Sequence, residues 1–195
     1  MAKIDPQKLT GKWLSGIALD VHTISSTHLG INESGHDVFD TKRSELGELL
    51  YRLKYRSDEA AAKEIVETAS KFLAPHRAKF DFIVPVPPSG ARPLQPVITL
   101  ANGIGAALDI PVIECVTTTR EATQLKGVID PERRKELLNG LHTVDATRTA
   151  GRNVLLFDDL YRSGSTMNAI TDLLMTSGKA ASVRVLAITC TRRNL

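Results

Sequence analysis

The chain has 195 residues, a formal net charge of +3 and a pI near 8.9. That length suits one domain, or one domain with an appendage, around a sizeable core, and the near balance of charge neither demands a nucleic-acid partner nor argues for a membrane. No apolar run approaches membrane-spanning length, residues 1–12 are too polar for a signal peptide, and Cys115 and Cys190 lie in apolar runs without metal-ligand spacing. Together these features read as a cytoplasmic globular protein with reduced, buried thiols.

Residues 1–42 carry the weakest pattern. Positions 13–21 suggest a short strand or two, and 24–40, with Gly30, Asn32 and Gly35, reads as a loop. His22, His28 and His36 lie among Asp20, Asp37 and Asp40, but their spacing fits no familiar ligand pattern and reads as surface polarity. Over 44–55, Leu46, Leu49, Leu50 and Leu53 fall at helical spacing. Ser57 reads as the N-cap of a second helix over 60–73, with Asp58 and Glu59 in its first turn and Pro75 as its stop. The segment 49–56 interleaves Tyr51 and Tyr55 with Arg52, Lys54 and Arg56. A nucleic acid is a possible partner for such a surface, but an amphipathic helix with solvated cations is the preferred reading.

Residues 80–86 read as a strand that runs into the stiff turn Pro87-Pro88-Ser89-Gly90-Ala91-Arg92. Pro96 opens a helix that ends near Leu108, and Asp109-Ile110-Pro111 turns the chain into a second strand over 112–117. A polar insertion over 117–143 carries Arg120, Lys126, Arg133, Arg134 and Lys135, with Asp130-Pro131-Glu132 as the cap of a short helix. A third strand starts at Asn153 and a fourth covers 182–189, entered through Gly178 as a helix C-cap. The alternation predicts an α/β fold, a parallel sheet flanked by helices with right-handed crossovers. Residues 1–75 are expected to form an N-terminal appendage and 76–195 the α/β core. Ligands bind outside the carboxyl ends of such strands, so the loops at 87–92, 118–128 and 158–166 are expected to converge.

The third strand carries the most specific chemistry. An apolar run, Asn153-Val154-Leu155-Leu156-Phe157, leads into Asp158-Asp159, and Arg162-Ser163-Gly164-Ser165-Thr166 opens the next helix. Gly164 allows a turn whose N–H groups form an anion-binding nest, and the helix aims its positive end at the same spot. Ser163, Ser165 and Thr166 add hydroxyl donors. The two carboxylates are acceptors suited to ribose hydroxyls or to water around magnesium. An anion cradle beside a diol-binding acid pair describes a ribose 5-phosphate site. A Walker B strand also reads apolar-run-Asp-Asp, but the chain has no G-x-x-x-x-G-K-[ST] partner. A receiver-type acidic pocket would leave the glycine-hydroxyl loop unexplained.

From Val154 to Thr166 the run resembles the phosphoribosyl pyrophosphate (PRPP) signature of type I phosphoribosyltransferases, with Arg162 where that family usually has its first threonine. The resemblance implies a type I phosphoribosyltransferase-like sheet with an N-terminal hood and a flexible loop. It implies Asp158 and Asp159 on the ribose hydroxyls, with magnesium met through water or those hydroxyls, and Arg162, Ser163, Gly164, Ser165 and Thr166 on the 5-phosphate. Pro88, Ser89, Gly90 and Arg92 resemble the pyrophosphate loop. Arg120 and Lys126, with Gln124, resemble the loop that closes over PRPP. The implied reaction is attack of a nitrogen nucleophile on C1 of PRPP, an acceptor base receiving the phosphoribosyl group as magnesium pyrophosphate leaves. A homodimer is the family-level expectation.

The nearest resemblance is to the ComF-type, amidophosphoribosyltransferase-like group linked to bacterial competence. It rests on 49–56, Pro85-Val86-Pro87, Arg92 with Gln95, Arg120, Gln124, Glu132-Arg133-Arg134 and the signature. The full-length pattern of that group has an N-terminal four-cysteine zinc module that this chain does not show, so roles supported by such a module are not expected. The alternative to an enzyme is a non-catalytic PRPP- or nucleotide-binding module, regulatory or associated with nucleic acid in competence.

Overall fold

The computed structural model describes residues 1–88, 90, 94–118 and 140–192. At its centre lies a sheet of β1 (Gln7–Lys8), β2 (Ser15–Val21), β5 (Phe82–Pro85), β8 (Asn153–Tyr161) and β9 (Ser182–Cys190), in spatial order β1-β2-β9-β8-β5. Strands β2, β9, β8 and β5 are parallel, and β1 closes one edge antiparallel to β2. Val154, Leu155, Leu156 and Phe157 are all buried, the unbroken apolar run that a strand covered on both faces requires. Side chains alternate across the pleat. Leu155 and Phe157 join a core with Leu19, Ile83, Leu186 and Ile188, whereas Val154 and Leu156 join one with Ala18, Phe82, Val84 and Val185.

Three helices cover the first face: α1 (Glu45–Arg56), α2 (Glu59–Leu73) and α3 (Pro96–Leu108), through Leu46, Leu50, Leu53, Ile65, Leu100 and Ile104. A single turn, α4 (Ala146–Thr149), precedes β8, and α5 (Ser165–Thr176) covers the second face with Met167, Ile170 and Leu174. The fold is therefore the expected α/β sheet, mostly parallel and flanked by helices. Among the described residues no helix is long and apolar enough to cross a membrane.

Several local expectations change. Residues 24–40 are not a loop but belong to an antiparallel hairpin of β3 (Thr23–Ile31) and β4 (Asp37–Arg43). Most of its side chains face solvent, so it lacks the apolar alternation of a half-buried strand. Its turn is built by Asn32, whose Oδ1 accepts the N–H groups of Ser34 and His36 at 3.0 and 2.9 Å. Ser57 ends α1 in the left-handed region at φ 51°, and Asp58 is the N-cap of α2, accepting from Ala61 N at 3.0 Å.

The strand expected over 112–117 is not a full member of the sheet. Val112 makes one parallel bridge to Ile83, after which Val116–Thr118, β6, pairs antiparallel with His142–Val144, β7. Pro111 and Glu114 interrupt the apolar run that a central strand needs. The further parallel strand comes from the N-terminal segment, since β2 pairs with β9. The expected helix start at Asp130-Pro131-Glu132 lies outside the described residues.

Candidate functional site

Strand β8 delivers its acid pair to the carboxyl edge of the sheet, and two exposed residues, Arg162 and Ser163, lead to Gly164. Gly164 caps α5 at φ 72°, in the left-handed region that favours glycine. It brings no side chain of its own to cap the helix, and Ser165 N reaches Ser163 Oγ only at a long 3.5 Å, so the start of α5 can still donate to an incoming anion. Asn168 fixes the turn by donating to Gly164 O from its backbone N and its Nδ2 at 2.8 and 3.0 Å. Ser163 Oγ and Ser165 Oγ lie 3.0 Å apart, a pair of hydroxyls at the helix start, with Thr166 next in the first turn.

The acid pair is half-buried. Asp158 Oδ1 accepts the Asp159 N–H at 2.8 Å, and burial together with the neighbouring Asp159 carboxylate pushes Asp158 up to about 7. Asp159 Oδ1 accepts Lys54 Nζ at 2.8 Å, with the two side chains only 16% and 13% exposed. The cations of 49–56 are thus not all solvated, and the sequence reading missed this one. Lys54 follows Leu53 and lies one turn beyond Leu50, on the flank of the buried stripe, and that was the available signal.

Helix α1 is set against the sheet at its start. Ser44 Oγ donates to Val21 O at 2.6 Å and accepts the Gly47 N–H at 2.9 Å, tying α1 to the end of β2. The next residue, His22, is not surface polarity as expected. Its Nδ1 lies 3.1 Å from Thr189 Oγ1, and burial, then Lys54 and Arg43, hold the ring down to about 4, so it is neutral. His28 pairs with Asp37 at 2.9 Å on the exposed hairpin.

Strand β5 lies directly beside β8. Pro85 is opposite Phe157, and Val86 N donates to Phe157 O at 2.8 Å, so the chain leaves β5 next to the acid pair. Pro88 and Gly90 are exposed, and Gln95 Nε2 donates to Gly90 O at 2.8 Å. A Cβ on Gly90 would meet nothing within 4 Å, which leaves its backbone open to a ligand. Ser89, Arg92, Gln124, Arg120, Lys126, Arg133 and Arg134 lie outside the described residues. The described ones bring Asp158, Asp159, Arg162, Ser163, Gly164, Ser165 and Thr166 together at one edge, with Pro88 and Gly90 on the adjacent turn.

Among the described residues no group of three or more His, Cys, Asp and Glu is placed to hold a metal. Asp159 already carries an ammonium on Oδ1, so a second cation on that carboxylate would sit against the charge of Lys54. As arranged, the pair does not fit magnesium coordinated directly to Asp159.

No family model matches the chain, and no curated protein matches it either. Among solved structures, the chain is similar to adenine phosphoribosyltransferase from Saccharomyces cerevisiae, complexed with an imino-altritol bisphosphate and adenine. Identity is 13%, coverage 84% of each chain and the TM-score 0.46. It is similar to glutamine phosphoribosylpyrophosphate amidotransferase from B. subtilis, complexed with ADP and GMP, at 20% identity over 81% of this chain and 35% of that one, TM-score 0.49. It is also similar to orotate phosphoribosyltransferase from Aeropyrum pernix, at 15% identity over 89% and 90% of the two chains, TM-score 0.47.

Proposed function

We propose that the chain binds PRPP and transfers its phosphoribosyl group to a nitrogen nucleophile. The observation that carries this reading is the left-handed turn at Gly164, which sets the open start of α5 one loop from Asp158 and Asp159 at a single sheet edge. In this reading Asp158 and Asp159 accept the ribose hydroxyls, and Arg162, Ser163, Gly164, Ser165 and Thr166 hold the 5-phosphate. Pro88, Ser89, Gly90 and Arg92 face the diphosphate, and Arg120 and Lys126 close over it.

The nitrogen lone pair forms a bond to C1 as the C1–O bond breaks. The bonding electrons leave with pyrophosphate, and the proton on nitrogen passes to solvent. Such a reaction asks for positioning and stabilisation of charge rather than a strong acid or base. Magnesium, the expected companion of this ligand, takes no ligand from Asp159 in this reading.

The β3–β4 hairpin leaves the same edge directly after β2, so within residues 1–75 it is this hairpin that would supply the hood that selects the acceptor base. A ComF-type assignment within the phosphoribosyltransferases and a homodimer complete the proposal.

Calorimetric titration with PRPP tests it. The native protein should bind, and Asp158→Asn or Ser163→Ala should each weaken binding about tenfold or more. No heat with native protein overturns the reading. Binding without pyrophosphate release across a panel of bases would favour the non-catalytic alternative. One feature supports its nucleic-acid form: Tyr55 is exposed, its ring tilted against that of Tyr51 with centroids 4.8 Å apart, and Arg43 lies over the Tyr51 ring at 4.0 Å. A salt-sensitive shift with single-stranded DNA would identify that form.

A further inference from the structure

We propose that Lys54 is the resident cation of the acidic pair: its ammonium takes the place against Asp159 that a divalent ion would otherwise take, so these carboxylates receive a ribose diol without magnesium. The inference rests on the ribose-phosphate reading for its ligand, but not for its electrostatics.

The ion pair has the marks of a built contact. Nζ and Oδ1 are 2.8 Å apart, and both side chains are largely withdrawn from water, where an ammonium without a partner would be costly. The helix that carries Lys54 is held at its other end by Ser44, which is hydrogen-bonded to Val21 O. Gly47 allows the close approach, because a Cβ there would lie 2.1 Å from His22 O. Leu46, Leu49, Leu50 and Leu53 then bury the face of α1 between those ends. Lys54 is therefore delivered to Asp159 by a rod seated on the end of β2, unlike a surface lysine that samples many positions.

The chemical consequence is local. Two adjacent carboxylates attract a divalent ion strongly, and one neutralised by an ammonium attracts it far less. Asp159 keeps Oδ2 as an acceptor for a hydroxyl, because Lys54 engages Oδ1 alone.

The test has two arms, on native protein, Lys54→Met and Lys54→Gln, the last keeping a donor in case Lys54→Met does not fold. In the first, Mn²⁺ alone is titrated in and free ion is followed by electron paramagnetic resonance. The charge-free variants should gain a site that native protein lacks and that Lys54→Met/Asp159→Asn loses again. In the second, ribose 5-phosphate, which has no diphosphate to carry its own metal, is titrated in chelator and then in magnesium. Native affinity should agree within about twofold between the two conditions. The variants should bind about tenfold more weakly in chelator and recover in magnesium. A native protein that needs magnesium for ribose 5-phosphate, or variants that gain no Mn²⁺ site, overturns the proposal. A gained Mn²⁺ site with no ribose 5-phosphate binding by any form sinks the ribose-phosphate reading and leaves Lys54 as the pair's cation.

Discussion

Gly164 and Tyr161 leave no room for a side chain between them: a Cβ on Gly164 would stand 2.4 Å from the phenolic oxygen and 2.9 Å from two ring carbons. The tyrosine is buried in the second core, so it cannot simply swing away. The left-handed turn at the start of α5 is therefore required twice, by its φ of 72° and by the ring beneath it.

Gly164→Ala should accordingly destabilise the protein by more than about 2 kcal/mol, since the left-handed conformation alone costs a residue with a Cβ about 1–2 kcal/mol. Adding Tyr161→Phe removes the nearest contact but not the ring carbons, so it should restore only part of the loss. Urea unfolding of the two single variants and the double variant measures this coupling.

Asp158 makes stability depend on pH with a definite sign. Its carboxyl is raised from the ordinary 3.8 to about 7, so between those values the folded chain holds a proton that the unfolded chain has lost. Stability should fall as pH rises through that window, with a slope of at most about 1.4 kcal/mol per pH unit. Asp158→Asn should remove this contribution, which thermal unfolding across the window reads directly.

His22 acts in the opposite direction. Its ring is lowered from 6.5 to about 4, so below pH 6.5 the unfolded chain gains a proton that the folded chain refuses. Stability from this group is present above 6.5 and is lost as pH drops toward 4. The two groups oppose each other over the shared range. Asp158→Asn should unmask a loss of stability on acidification there, and His22→Gln should unmask a gain.

Gly47→Ala should contradict helix propensity. Alanine in a helix interior ordinarily stabilises by about 1 kcal/mol over glycine. Here its Cβ would lie 2.1 Å from the backbone oxygen of His22, so α1 must lift away from β2. The variant should lower the melting temperature and, in a crystal structure, lengthen the Lys54–Asp159 contact.

The sequence is most legible where local chemistry and burial agree. Val154 to Phe157 read as a strand covered on both faces because every residue is apolar, and the glycine-hydroxyl turn after Asp159 follows from residue types alone. Strand β2 was less legible, because Ser15, Gly16 and Asp20 break its apolar run and its partner begins at Ser182. Pairing over such a distance leaves no local pattern. The hairpin of β3 and β4 was hidden for another reason: without a buried face it has no period to read. Lys54 combined both problems, a cation on the flank of an apolar stripe whose partner stands 105 residues later.

The short β6–β7 ladder has a wider consequence. Thr118 stands opposite His142, so the chain departs from the body and rejoins it at neighbouring points, about 5 Å apart as paired strands are. Thr118 and His142 are therefore two fixed points that the chain between them has to join. The cost of closing such a loop grows only slowly with its length, so segments of different size can be spliced onto the same two stumps. The length of the connection can thus change while the sheet that carries Asp158 and Asp159 stays as it is.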